Sequence, residues 1–236
     1  MTTTLDPGER RSIIRDGLGV GIATGTYGIS FGAVAVGAGL SVTQTCALSL
    51  LMFTGASQFA LVGVLAAGGT PLSGALTAVL LGTRNTLYGL RLAPLLAWSG
   101  VRRVAASHLV IDESTAMSVT RTSTPAARVG FLTTGVTIFF LWNVATLAGA
   151  LGGRALGDPR TYGLDAAVGA AFLALLWPRL RDRRNRVTAL AAAAVALALV
   201  PLTAAGVPVL ASAGVALLVG ALWPGQDDTE FPEVQR

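Results

Sequence analysis

The few charges of this chain divide it into long apolar runs. A bilayer-crossing helix needs about 20 mostly apolar residues. Seven stretches reach or approach that length: roughly 17–39, 43–67, 72–97, 129–151, 162–178, 187–204 and 207–223. A more polar segment at 98–128 carries the run HLVIDESTAMSV. Only 12% of residues are charged, against 53% hydrophobic, where an average soluble domain has about 25% charged. The 29 glycines suit helices packed at close range in lipid. The pattern predicts an all-α polytopic integral membrane protein. A cytoplasmic segment at 1–16, a transmembrane helical domain at 17–223 and an acidic, disordered tail at 224–236 are expected.

The net charge of +5 comes from arginine alone, since the sequence has no lysine. The arginines lie in links between apolar runs, as they do when they set membrane orientation, so no nucleic-acid surface is expected. Arg10, Arg11 and Arg15 favour a cytoplasmic N-terminal end, and the loop Arg179–Arg186 favours the same side. The seven runs put five crossings between these segments, but an even number is required. Either an extra crossing near 104–120 makes eight, or one of the early runs is re-entrant. The extra crossing is the preferred solution, although Asp112 and Glu113 would then need shielding by helices or water. Cys46 is the single cysteine and reads as packing, with no disulfide or metal site. No metal or cofactor is expected.

Two early runs contain polar breaks. The second holds Thr54-Gly55-Ala56-Ser57-Gln58, and the third holds Gly82-Thr83-Arg84-Asn85-Thr86. Unwound segments at mid-membrane are where transporters bind solutes, because they offer free N–H and C=O groups. Alternatively, small polar residues bond back to their own helix or join helices together. Residues 32–62 and 145–176 share a faint pattern, which suggests a possible inverted repeat.

Charges at membrane depth need a partner, water or a role. Arg84 lies near the middle of the third run. Its guanidinium suits a substrate carboxylate, or an internal ion pair with Asp112, Glu113 or Asp165. Asp112 and Glu113 are candidates for a substrate ammonium or a coupled proton, or else belong to a solvated interfacial helix. Asp165 could simply favour a helix N-terminus. A serine hydrolase built on Ser57 and His108 is disfavoured, since no glycine-rich elbow places the serine. No phosphate-binding loop is present, so uphill transport would need an ion gradient.

Six segments appear in an order that resembles the AzlC family, the large subunit of branched-chain amino acid exporters. They are GISFGAVAVGAG (28–39), FTGASQFA (53–60), RNTLYGLRLAP (84–94), DES (112–114), WNVATLAG (142–149) and GLDAAVGAAFLALL (163–176). The resemblance covers roughly residues 10–225. Thr83 and Asn85 stand where the family often has Asn and His.

The resemblance implies a non-enzymatic, multi-pass exporter subunit in the cytoplasmic membrane, working with a small AzlD-type membrane subunit on valine, leucine or isoleucine. On this reading Arg84 and the backbone N–H groups of Gly55, Ala56, Ser57 and Gln58 take the substrate carboxylate. Asp112, Glu113 or Asp165 takes the ammonium or a proton. Phe53, Phe59, Asn85 and Tyr88 line the substrate site. The competing readings are a non-transporting scaffold or sensor subunit and a channel for small solutes.

Overall fold

The computed structural model describes residues 5–156, 173 and 176–223. These fall into two units, Met1–Ala170 and Ala171–Arg236. The described residues are helical with no strand. The first unit holds α1 (Pro7–Thr26), α2 (Gly28–Gly37), α3 (Val42–Leu51), α4 (Ala56–Ala66), α5 (Pro71–Leu96), α6 (Gly100–Ser107), α7 (Asp112–Val119) and α8 (Thr124–Leu156). In the second unit a 3-10 turn, Trp177–Arg181, leads into α9 (Arg183–Leu199), which is followed by α10 (Val207–Leu222).

α1 starts inside the segment assigned to a polar tail. Asp6 caps it by accepting from the Gly8 and Glu9 amides, and Pro7 opens its first turn. α1 and α2 then run together, interrupted only at Tyr27, as a 31-residue stretch long and apolar enough to cross a bilayer. Thr124–Ala155 is the other such stretch.

These two stretches lie parallel at backbone contact distance. Gly17 faces Thr134, Gly21 faces Thr137, Gly25 faces Leu141 and Gly28 faces Trp142. A Cβ on Gly32 would run into the Thr146 carbonyl oxygen, and one on Gly149 into that of Ile29. Small residues thus replace the interlocking of large side chains along this seam. α8 therefore serves as a ruler for depth in the unit.

Against that ruler the second run turns back on itself. Ser49 of α3 bonds to Thr146, and Phe53 beyond its end packs on Phe139, so α3 descends. Phe59 of α4 is back beside Trp142. Farther along, Leu61 meets Gly74, while Ser57 meets Gly82. Gln58 reaches the Leu48 carbonyl at 3.1 Å, across ten residues of sequence. A continuous helix would separate those positions by about 15 Å. The 43–67 run is thus a re-entrant hairpin, and the choice between an extra crossing and re-entry goes to re-entry for this run.

The 98–128 segment makes a second hairpin from the opposite end. α5 finishes where Arg128 of α8 caps the Leu96 and Ala97 carbonyls at 2.7 and 3.2 Å. α6 then climbs until His108 packs on Phe139. α7 returns, with Leu109 beside Gly135 and Met117 beside Gly130. The segment near 104–120 therefore goes up and back, which corrects the extra crossing preferred from the sequence.

The break expected at Gly82–Thr86 is absent as well: α5 is continuous through it. Thr83 bonds back to the Leu80 carbonyl at 2.6 Å, so its hydroxyl is satisfied within the helix.

The outer surface is apolar. On α8, Leu132, Val136, Phe140, Val144, Leu147 and Leu151 are exposed along one stripe. On α5, Leu72, Leu76, Val79, Leu87 and Leu90 are exposed too. Contiguous apolar surface on this scale is foreign to water-soluble monomers. In the second unit α9 and α10 pack antiparallel, with Ser212 donating to the Ala192 carbonyl at 3.1 Å and Arg184 beside Gly220. They match the 187–204 and 207–223 runs. The 162–178 run, Asp165, the 224–236 tail and most of the 145–176 repeat copy lie outside the described residues.

Replacing Gly32 by Val is expected to cost at least about 1–3 kcal/mol, since overpacking meets backbone rather than a movable side chain. A Cβ added at Gly19 would meet nothing within 4 Å, so Gly19→Ala should hold or raise stability. Thermal unfolding of the two purified variants checks the contrast.

Candidate functional site

The two hairpins bring four helix ends to mid-depth. α3 and α6 present carbonyl ends there, and α4 and α7 present amide ends. Backbone groups at such ends have no partner within their own helix, and burying them unpaired is costly. At each tip one buried side chain bridges an amide and a carbonyl. Gln58, fully buried, accepts from the Gly55 amide at 3.2 Å and donates to the Leu48 carbonyl. Ser114, also fully buried, accepts from the Ile111 amide at 3.1 Å and lies 2.6 Å from the Leu109 carbonyl, to which it donates. Both sit three residues into the returning helix and reach back, as in a capping box. Gly55 turns the first tip at φ +58°, a conformation that favours glycine.

His108 joins the tips. Its Nε2 lies 2.9 Å from the Leu50 carbonyl at the end of α3. A carbonyl only accepts, so Nε2 carries the hydrogen. The imidazole also packs on Phe53 and Phe139 with ring centroids 6.2 and 5.5 Å away. Phe53 and Phe139 meet edge-on at 5.1 Å. The only histidine of the sequence is thus a clasp between hairpins.

Arg84 and Asp112 meet at 2.7 Å, and Tyr88 donates to the other Asp112 oxygen at 2.6 Å. The guanidinium is 29% exposed and the carboxylate 27%. Of the two options for Arg84, the internal ion pair is the one formed. The Arg84 Nε remains buried without a hydrogen-bond partner. Asp112 and Glu113 open α7, where the helix dipole favours negative charge.

Beside this cluster lies a cavity of about 530 Å³, within the size range of small-molecule sites. It runs from the first hairpin tip at Met52–Thr54, along α5 from Gly82 to Leu96, to Trp98 and the inner side of α6. Asn85 and Phe53 line it, as expected from the sequence. Arg84, Tyr88 and Asp112 form the adjoining cluster. Gly55, Ala56, Ser57 and Gln58 sit behind the tip, the last three buried. Phe59 belongs to an aromatic core with Tyr27, Phe31 and Trp142. Sequence reasoning missed Arg103, Ser107 and His108 as cavity residues.

Residues 19–156 match the family described as AzlC protein. The chain belongs to the AzlC family. The match covers both hairpins, α5 and α8, and the α1–α2 stretch from residue 19 onward. An uncharacterized membrane protein of Archaeoglobus fulgidus is 34% identical over 201 residues, covering 84% of this chain and 87% of its own. No solved structure matches. Within this AzlC chain, every motif that carried the resemblance from 28 to 149 falls on a seam, a hairpin tip or the Arg84 cluster.

Removing one member of the Arg84–Asp112 pair should cost about 2 kcal/mol, the range for a hydrogen bond to a charged group. Replacing both, as Arg84→Met with Asp112→Leu, should recover much of that loss, since neither charge is left unpaired. Thermal unfolding of the two single variants and the double variant reads the coupling directly.

Proposed function

We propose that this chain is the large permease subunit of a secondary transporter that exports branched-chain or other small apolar amino acids across the cytoplasmic membrane. The observation that carries this reading is the cavity of about 530 Å³ bounded by a re-entrant tip and flanked by the Arg84–Asp112 pair. Membership of the AzlC family supports it, as does the apolar outer surface. A small AzlD-type membrane subunit is its partner.

In this reading the first unit has three crossings and two opposed hairpins. Within that unit the runs 17–39, 72–97 and 129–151 cross, and the N-terminal arginines lie in the cytoplasm. In the second unit α9 and α10 each cross. The first hairpin enters from the outer side and the second from the cytoplasmic side. With Cys46 replaced by Ser, cysteines at Leu40 and Gly69 should label from outside only, and cysteines at Ser99 and Ser123 from the cytoplasm only. Opposite-side labelling within either pair would end the hairpin topology.

Proton entry drives export in this mechanism. Asp112, paired with Arg84 and Tyr88 beside the cavity, is the carrier in this reading. Alternating access then follows from relative movement of the two tips around the cavity. Neither a nucleotide nor a cofactor takes part.

Cells fed a valine-containing dipeptide and expressing both subunits should hold less intracellular valine than cells lacking them. Asp112→Asn should remove the pH dependence of efflux while membrane insertion is retained. Unchanged valine levels would eliminate the exporter reading and favour a scaffold or sensor subunit. Efflux that ignores a collapsed ion gradient would favour a channel.

A further inference from the structure

The cavity has no carboxylate among its lining residues. Asp112, the nearest candidate for a substrate ammonium, is already paired with Arg84 and Tyr88. Arg84, the cation first assigned to a substrate carboxylate, is committed to the same pair and does not line the cavity. The polar demands of a bound zwitterion must therefore be met by other groups.

Two residues of the lining carry unpaired acceptors. Thr54 Oγ1, at the first hairpin tip, and Asn85 Oδ1, on α5, are both buried with no hydrogen-bond partner. Buried polar atoms are rarely left so, and each one calls for an explanation. On the same stretch of α5, Pro94 offers no amide to the Leu90 carbonyl four residues earlier, and Leu90 and Ala93 both line the cavity. This wall is rich in acceptors and carries no formal charge.

The other wall carries a cation. Arg103 on α6 lines the cavity and is exposed. Among the described residues its guanidinium has no ion pair and no hydrogen bond, whereas Arg84 and Arg128 are both engaged. A guanidinium accepts no hydrogen bonds and presents a planar fork of donors that matches a carboxylate.

We infer that Arg103 is the carboxylate anchor of the substrate site and that Thr54 Oγ1 and Asn85 Oδ1 receive the ammonium, so that an amino acid lies across the cavity between α6 and the first hairpin tip. This assignment rests on the amino-acid exporter reading and gives that site its polarity. The side chain of the bound amino acid meets the apolar lining formed by Phe53, Leu92 and Phe131. Because α6 belongs to the second hairpin, substrate binding bridges the two hairpins in parallel with the His108 clasp.

Three probes separate the two poles of the site: L-valine, L-valinol without the carboxylate, and isovalerate without the ammonium. Each is titrated against the full chain reconstituted in vesicles, with and without the small partner subunit. Arg103→Gln should weaken valine and isovalerate about ten- to hundredfold and leave valinol unchanged. Arg103→Lys should recover part of that loss. Asn85→Leu should weaken valine and valinol and spare isovalerate. Arg103 is exposed and unpaired, so its variants should unfold at the wild-type temperature, which separates lost binding from lost fold. Wild-type affinity for valine and isovalerate in Arg103→Gln overturns the assignment while the exporter reading stands. The reverse pattern of losses overturns the orientation. A wild-type chain that takes up none of the three probes removes the exporter reading and this assignment with it.

Discussion

A helix that ends inside an apolar body must find partners for the backbone groups it exposes there, and the first unit of this protein is organised around that constraint. Four helix ends meet near Phe139. The cost of an unpaired buried amide or carbonyl is of the order of 1–3 kcal/mol, so several at one place would rival a domain's whole stability. Gln58 and Ser114 each hold an amide and a carbonyl of their own hairpin, from the same third position of a returning helix, with Gln58 sharing the Leu48 carbonyl with the Met52 amide. His108 answers one on the other hairpin. With the backbone satisfied, chain reversal at depth becomes sustainable. Only closed hydrogen bonding of this kind lets irregular backbone exist away from water.

The same constraint separates structural polarity from usable polarity. Gln58, Ser114 and the Arg84–Asp112–Tyr88 cluster are turned inward and engaged. Thr54, Asn85 and Arg103 are lining residues of the cavity, and Thr54 Oγ1, Asn85 Oδ1 and the Arg103 guanidinium have no described partner. At one point the two sets are neighbours in sequence: Arg84 is engaged and Asn85 Oδ1 is not. On a helix, neighbours point about 100° apart, so adjacent residues serve different surfaces. α5 uses this to hold a charge pair on one side and a cavity wall on the other, and its continuity through Gly82–Thr86 keeps both in register.

Much of the class was legible in the sequence. Run lengths and the dearth of charge specified apolar helices, and Gly55 in the midst of small polar residues marked a true break. Direction was not legible. Hydropathy registers a run of 25 apolar residues identically whether it crosses or returns, because burial inside a helical bundle and burial in lipid select the same side chains. What distinguishes the hairpin is Gln58 reaching back to Leu48, a contact no window average contains. The Gly82–Thr86 break was misjudged for a related reason. Its polar residues resemble those of the true break, but Gly82 needs no positive φ and Thr83 is satisfied by Leu80. At the Arg84 site, charge and depth announced that a partner must exist. They could not choose among Asp112, Glu113 and Asp165, since that choice depends on where α7 starts after its turn.

The seam of glycines between α1–α2 and α8 explains which parts can move. Backbone packed on backbone, as at Gly32 with Thr146 and Gly149 with Ile29, leaves no side-chain slack to absorb a shift. α1, α2 and α8 therefore form a rigid frame. α6 has the opposite character: residues 100–105 are exposed, and its hold on the rest is the Ala106 contact with the Leu92 cluster and the His108 clasp. A motion that opens the cavity meets least resistance there, because it breaks one hydrogen bond and a small apolar contact rather than a helix seam. Arg103 rides on that helix, so any displacement of α6 carries the only unpaired cavity cation among the described residues with it. Solute affinity and access are thereby tied to the position of a single short helix.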